Sequence, residues 1–281
     1  QVKRDYKYYV PKEGYVVKVL NIKEARETRP KYQETVASEL KRHMDLSCYG
    51  KPVPRMTVPD NAVIYRGKLI YGVKHWEHVE LHKDKARLII QGCLRVTKEG
   101  KVMLERYFKA PGEFWAPTSS LAGFRFVCCL AAILGLTVTT IDLDSAYLQS
   151  KARNDNTFLQ FPPELTEAFT DDWQQAIREA ITQDLMHGGW GEVVFPLLKN
   201  VYGKPDAGTN FINDFQQGTL IPEAGFQRLP HCHGTFLKFC PVTGKPQLIS
   251  NYVDDLCAAL TPEDSPKIWA PLNTGHEVDF V

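Results

Sequence analysis

The sequence predicts a globular fold that mixes helices and strands, and three observations predict it. The composition can build a core, apolar residues recur at helical spacing in separate segments, and short β-branched runs read as strands. Of the 281 residues, 43% are hydrophobic and 24% charged, which rules out wholesale disorder. The longest apolar stretch, Phe126 to Val138, has 13 residues. That is short of the roughly 18 to 20 a membrane helix needs, so no membrane span is expected. Seven cysteines, none in a Cys-x-x-Cys pair, together with the lack of any Asn-x-Ser/Thr site, argue for a reducing compartment, cytoplasmic or nuclear. Because the sequence starts with Gln1 and no basic-then-apolar leader follows, it reads as an internal or processed segment.

The elements follow in order. Val36, Leu40 and Met44 recur among charges between Lys31 and Leu46, predicting an exposed amphipathic helix. Three prolines mark Lys51 to Asp60 as a connector. Asn61 to Val73 and Ala86 to Val96 read as strands of a basic sheet, with Gly100 at a turn. Ser119 or Ser120 is placed to cap an apolar, buried helix through Leu134, stopped by Gly135; Leu136 to Leu143 then reads as a buried strand. From Thr170 or Asp171, Trp173, Ala176, Ile177, Ala180, Ile181 and Leu185 line one face of a packing helix that ends at Gly188-Gly189. Between Gln247 and Leu260, two apolar runs flank Asp254-Asp255, which predicts a hairpin with an acidic tip.

The formal charge of +1 conceals a division. Up to Ala110 there are 24 Lys and Arg against 13 Asp and Glu, a net +11; beyond it there are 10 against 20, a net −10. A basic lobe suits a polyanion and an acidic lobe suits divalent cations, although both patterns also arise on ordinary solvated surfaces.

Two carboxylate strings stand out. Adjacent acids in Tyr252-Val253-Asp254-Asp255-Leu256 are costly between apolar runs unless positive charge compensates them. Asp142 ends the strand Thr139 to Leu143, and Asp144 shares its face if the strand continues; otherwise Asp144 caps the following helix. Carboxylates at the ends of neighbouring strands are the donors that hold a pair of Mg²⁺ ions in nucleotidyl transfer.

With those strings in place, the chain resembles the reverse transcriptase domain of copia-type retrotransposon polyproteins, from about Ala25 to Val281. The matching segments are Lys85 to Gly92, Ala116 to Ser120, Ile141 to Leu148 and Tyr252 to Leu256, with Val201-Tyr202-Gly203 where the family has Leu-Tyr-Gly. The resemblance implies an α+β right-hand polymerase of fingers and palm, with an antiparallel palm sheet and no room for a thumb. It divides the chain into a basic extension (1–60), a fingers-like sheet (61–115) and a palm-like domain (116–281) with an inserted helix (170–189). Asp142, Asp254 and Asp255 would be the catalytic and metal-binding carboxylates for Mg²⁺ or Mn²⁺. Tyr147 would lie under the incoming sugar and exclude a 2′-hydroxyl; Leu143, Lys85 and Arg87 would also serve substrate binding, with Arg87 as a triphosphate clamp. The implied partners are an RNA or DNA template-primer and deoxynucleoside triphosphates.

Departures accompany the match. Asp206 and Gly208 stand where the family usually has a glutamine near the nucleotide, and 112 positions separate Asp142 from Asp254. A co-opted, non-catalytic subunit of a host complex or of the polyprotein is the competing expectation. His231-Cys232-His233 with Cys240 has zinc-type ligands at the wrong spacing, and Cys128-Cys129 reads as core.

Overall fold

The computed structural model describes residues 16–104, 118–152, 156–266, 268 and, by their backbone, 278–280. The first fifteen residues, Ala116-Pro117 and the boundary expected at 115 lie outside the described residues.

In chain order the first part holds β1 (Val17–Leu20), α1 (Ile22–Thr28), α2 (Tyr32–Asp45), β2 (Val53–Pro54), β3 (Val63–Lys74), β4 (Lys83–Val96) and β5 (Val102–Leu104). Next come α3 (Leu121–Leu134), β6 (Thr137–Leu143), α4 (Ala146–Gln149), β7 (Thr157–Gln160), α5 (Pro163–Thr166), α6 (Asp171–Met186) and β8 (Val193–Pro196). The last part holds α7 (Ala207–Phe215), β9 (Gln227–Arg228), β10 (Thr235–Phe239), β11 (Pro246–Tyr252), β12 (Asp255–Leu260) and β13 (Val278–Phe280). The architecture is α+β, in two sheets.

One sheet runs β2-β8-β7-β3-β4-β5, with β1 on the same edge of β3 as β7. The strands β3 and β4 form its long hairpin, whose alternation puts Leu69, Tyr71 and Val73 with Ala86, Leu88 and Ile90 on the buried face. Against that face pack Tyr32, Val36 and Leu40 of α2, so the expected amphipathic helix forms as read. The same core takes Leu165, Phe169 and Ile177. The helix at 170–189, assigned with the following palm-like stretch in the sequence reading, therefore packs on the first sheet, where β7 and β8 also pair. Its buried face carries Ile177, Ala180 and Asp184, while Leu185 is exposed.

Asp184 fastens the helix there. Its fully buried carboxylate accepts the backbone N–H of Met56 at 2.9 Å, Gly191 at 3.0 Å and Glu192 at 3.1 Å. It thus fastens α6 to the segment after β2 and to the loop entering β8, while Arg55, paired with Glu192, donates to Lys98 O at 2.9 Å. The connector at 51–60 accordingly contains β2 and a 3-10 turn, Arg55–Thr57.

The other sheet runs β13-β6-β12-β11-β10-β9, with the described neighbours antiparallel. On one side lie Phe211, Ile212 and Phe215 of α7, against Ile141, Leu143, Leu256, Ala258 and Leu260. On the other, Val127 and Ala131 of α3 meet Leu248, Cys257 and Ala259. Ser120 caps α3, accepting from Gly123 N at 3.1 Å, and Gly135 ends it at φ +64°. The burial expected of α3 and β6 does not hold. Only Gly123, Val127 and Ala131 of α3 are buried, Phe126 and Ile133 are exposed, and Cys129 lies on the surface. In β6 only Ile141 and Leu143 are buried, because that strand has a helix against each face over part of its length. Among the described residues no helix is long and apolar enough to cross a membrane.

Candidate carboxylate site

The hairpin at 246–260 forms, and it carries the acids to the end of β6. Asp255 is the register partner of Asp142, and Tyr252 pairs with Asp255 across a two-residue turn, Val253-Asp254. Directly opposed residues of an antiparallel pair share a face. Asp142 and Asp255 therefore project together on the α3 side, while Ile141, Leu143 and Leu256 fill the core on the α7 side. The backbone N–H of Leu143 donates to Asp254 O at 2.9 Å, which locks the tip to β6. The Leu143 side chain itself is buried, so only its backbone is available to a substrate.

The tip is held under strain. Val253 adopts φ +57°, a left-handed conformation that a β-branched residue rarely takes, and Asn251 Nδ2 donates to Val253 O at 2.9 Å to brace it. Ser145, three residues past Asp142, is likewise at φ +52°. Strain of this kind costs about 1–3 kcal/mol per residue and gathers at functional sites.

Two carboxylates act on Asp255. Burial pushes the Asp255 carboxyl up, and the neighbouring charges of Asp254 and then Asp142 push it further. Asp142 and Asp255 border a cleft of about 460 Å³ with Ser119, Phe124, Ser250 and Tyr252. Among the described residues no three His, Cys, Asp or Glu side chains are gathered closely enough to hold a metal ion. The register brings two hard carboxylate donors, Asp142 and Asp255, to one sheet end.

Asp254 faces an aromatic row. Tyr147, at the start of α4 and half-buried, lies 5.2 Å from the Tyr202 ring and 5.9 Å from Phe211. Its hydroxyl is pushed up by burial and then by Asp254. Burial pushes the Tyr202 hydroxyl to about 12; Arg87 opposes the rise and Asp254 adds to it, so Tyr202 sits between a cation and the carboxylates. The Arg87 guanidinium lies over that ring at 4.5 Å, a cation–π contact. Lys85 shares the face of β4 with Arg87.

The loop that delivers Tyr202 is fastened to β4. Ile90 N donates to Tyr202 O at 2.7 Å, and Gly203, at φ +84°, passes so close that a Cβ there would lie 2.1 Å from Ile90 O. Behind it, Asp206 is paired with Lys204 and accepts from Asn210 Nδ2 at 3.1 Å. Burial alone pushes Asp206 up, but the hydrogen bond and charge of Lys204 outweigh it and hold the carboxyl low. The acid that stands where the family usually has a glutamine is thus an internal partner of Lys204. Asp144 does not cap α4; it accepts from Arg42 at 3.4 Å and from Ser145 Oγ at 3.3 Å, and its carbonyl accepts from Gln149.

Sequence reasoning gave Tyr202 no role, although it lies in the Val-Tyr-Gly string that carried part of the resemblance. No family model matches this chain, and no curated protein matches it.

Proposed function

We propose that the chain is a nucleotidyl-transfer module, an RNA-directed DNA polymerase with the fingers-and-palm form of copia-type reverse transcriptases. The observation that carries the reading is the pairing of Asp142 with Asp255 beside the strained turn that bears Asp254, whose charge acts on Tyr147 and on Tyr202, the ring that Arg87 covers. In the reaction a primer 3′-oxygen forms a bond to the α-phosphorus of a deoxynucleoside triphosphate and pyrophosphate leaves. Asp142, Asp254 and Asp255 would hold Mg²⁺ or Mn²⁺, which would lower the cost of the attacking and departing oxygen charges. Arg87 binds triphosphate oxygens through its fork of donors while Tyr202 fixes its plane. Tyr147, packed between Tyr202 and Phe211, supplies a rigid floor for the sugar. Primer extension on an RNA template with Mg²⁺ or Mn²⁺ tests the assignment. The reading requires extension by the chain and its loss in Asp254→Asn; extension that survives this change overturns it.

One observation favours a second reading. Because no three acids are gathered into a metal-binding group among the described residues, a non-catalytic subunit that keeps the fold is the alternative. It calls for nucleic-acid or protein binding indifferent to divalent cations and to Asp254→Asn, and metal-dependent extension eliminates it.

A further inference from the structure

Two thiols meet where β12 faces α3. Cys257 follows Asp255 by two residues and so shares its face of the sheet, with Thr140 of β6 and Ser250 of β11 as register partners. It forms a small buried cluster with Leu248, Ala259 and, from α3, Val127 and Ala131. Cys128, the helix residue after Val127, packs against the same cluster, and its thiol lies within hydrogen-bonding reach of the Cys257 thiol. Both are free thiols.

The two differ in access. Cys128 is half-buried, whereas Cys257 is buried and borders the cleft that also holds Asp142 and Asp255. Burial first, and then the nearness of Cys128, pushes the Cys257 thiol up to about 11. Its thiolate is therefore scarce at neutral pH, and Cys128 is the sulfur that a reagent from solution meets first. A more accessible thiol touching a shielded one is the layout of an entry cysteine and the cysteine that resolves it.

We infer that Cys128 and Cys257 form a redox-responsive pair, which closes to a disulfide between α3 and β12 when a small-molecule disulfide is supplied. The Cys128 sulfur, having given its proton to solvent, attacks one sulfur of the oxidant and releases the other half as a thiolate. Cys257 then loses its proton, attacks the Cys128 sulfur and expels the second half. Two protein thiols are oxidised to one disulfide, and the oxidant is reduced to two thiols. The bond fastens α3 to the strand of Asp255, two residues from that acid, and closes the chain from 128 to 257, which restricts the unfolded state. The inference needs no part of the polymerase reading.

Incubating the full chain with oxidised glutathione, followed by intact-mass measurement and peptide mapping without reductant, tests the pair. The expected product has lost two hydrogens, links the peptides of Cys128 and Cys257, and melts at a higher temperature until a reductant reverses it. Once Cys128 carries glutathione, closure should speed up about tenfold per pH unit between pH 7 and 9, because the Cys257 thiolate grows in that proportion. Cys128→Ser should abolish the link and the gain in melting temperature, and Cys257→Ala should accumulate the glutathione adduct at Cys128. Cys129→Ser, an exposed neighbour on the same helix, should change neither. Asp254→Asn, which tests the polymerase reading, should close at the same rate. The pair is refuted if Cys257 stays a free thiol across that pH range while Cys128 carries glutathione, or if the link persists in Cys128→Ser.

Discussion

Asp255 shows how one residue registers its neighbours. Its carboxyl is raised by burial and by two nearby carboxylates, so the ionised form is disfavoured in the folded chain. The sign follows from linkage: a raised acid binds more protons folded than unfolded, so stability falls as pH climbs from the ordinary carboxylate value, about 4, through the raised value, and the penalty is complete at neutral pH. Asp255→Asn should therefore raise the melting temperature at pH 7 without divalent cations by about 1–2 °C, because the group is exposed and screened. The gain should vanish below about pH 4. Thermal unfolding of both proteins at the two pH values checks this, and a gain that persists in acid excludes the charge explanation. Tyr147 makes a separate claim. On the proposed reading Tyr147→Ala should increase incorporation of ribonucleotides relative to deoxynucleotides in a competition assay; an unchanged ratio assigns this ring to packing alone.

At the scale of elements, the parts legible in the sequence were those set by local pattern. Helix α2 and the β11–β12 hairpin follow from period and turn chemistry over a dozen residues, and with the hairpin came Asp254 and Asp255. What escaped depends on partners far away in the chain. β7 pairs with β3 across more than ninety residues and brings β8 with it, which no local pattern encodes, and the apolar α3 keeps Phe126 and Ile133 exposed because only Gly123, Val127 and Ala131 of it are buried. Asp184 was invisible for the same reason: an acid on an amphipathic helix reads as solvated until its three backbone donors, from residues 56, 191 and 192, are brought to it. The convergence of Arg87, Tyr202 and Tyr147 was likewise hidden, since it needs the close pass of Gly203 over Ile90. Two variants measure these joints. Asp184→Ala leaves three donors without their acceptor and should cost about 3–5 kcal/mol in a urea titration. Gly203→Ala should cost at least about 2 kcal/mol, from φ strain and the clash with Ile90, and should weaken triphosphate binding by displacing Tyr202 from Arg87.

For the whole molecule, a net charge of +1 is a poor guide to what the surface does. The residues up to 110, which supply β1 to β5 and α2, carry +11, while those beyond carry −10. A polyanion is drawn to basic side chains, and each phosphate neutralised there releases condensed counterion. With about four cations engaged, log affinity for single-stranded nucleic acid should fall with log salt at a slope near −3. Between 50 and 200 mM salt that amounts to about a 60-fold loss. Base composition should matter little, because phosphate contacts carry no sequence information. Fluorescence anisotropy with oligonucleotides of two compositions across that salt range measures both quantities. A flat salt response would mean that the basic half is merely a solvated surface, and a strong composition preference would move recognition to base-edge contacts. If the slope is found, the basic side chains of the β3–β4 hairpin act as the steering charge that draws a strand to the chain.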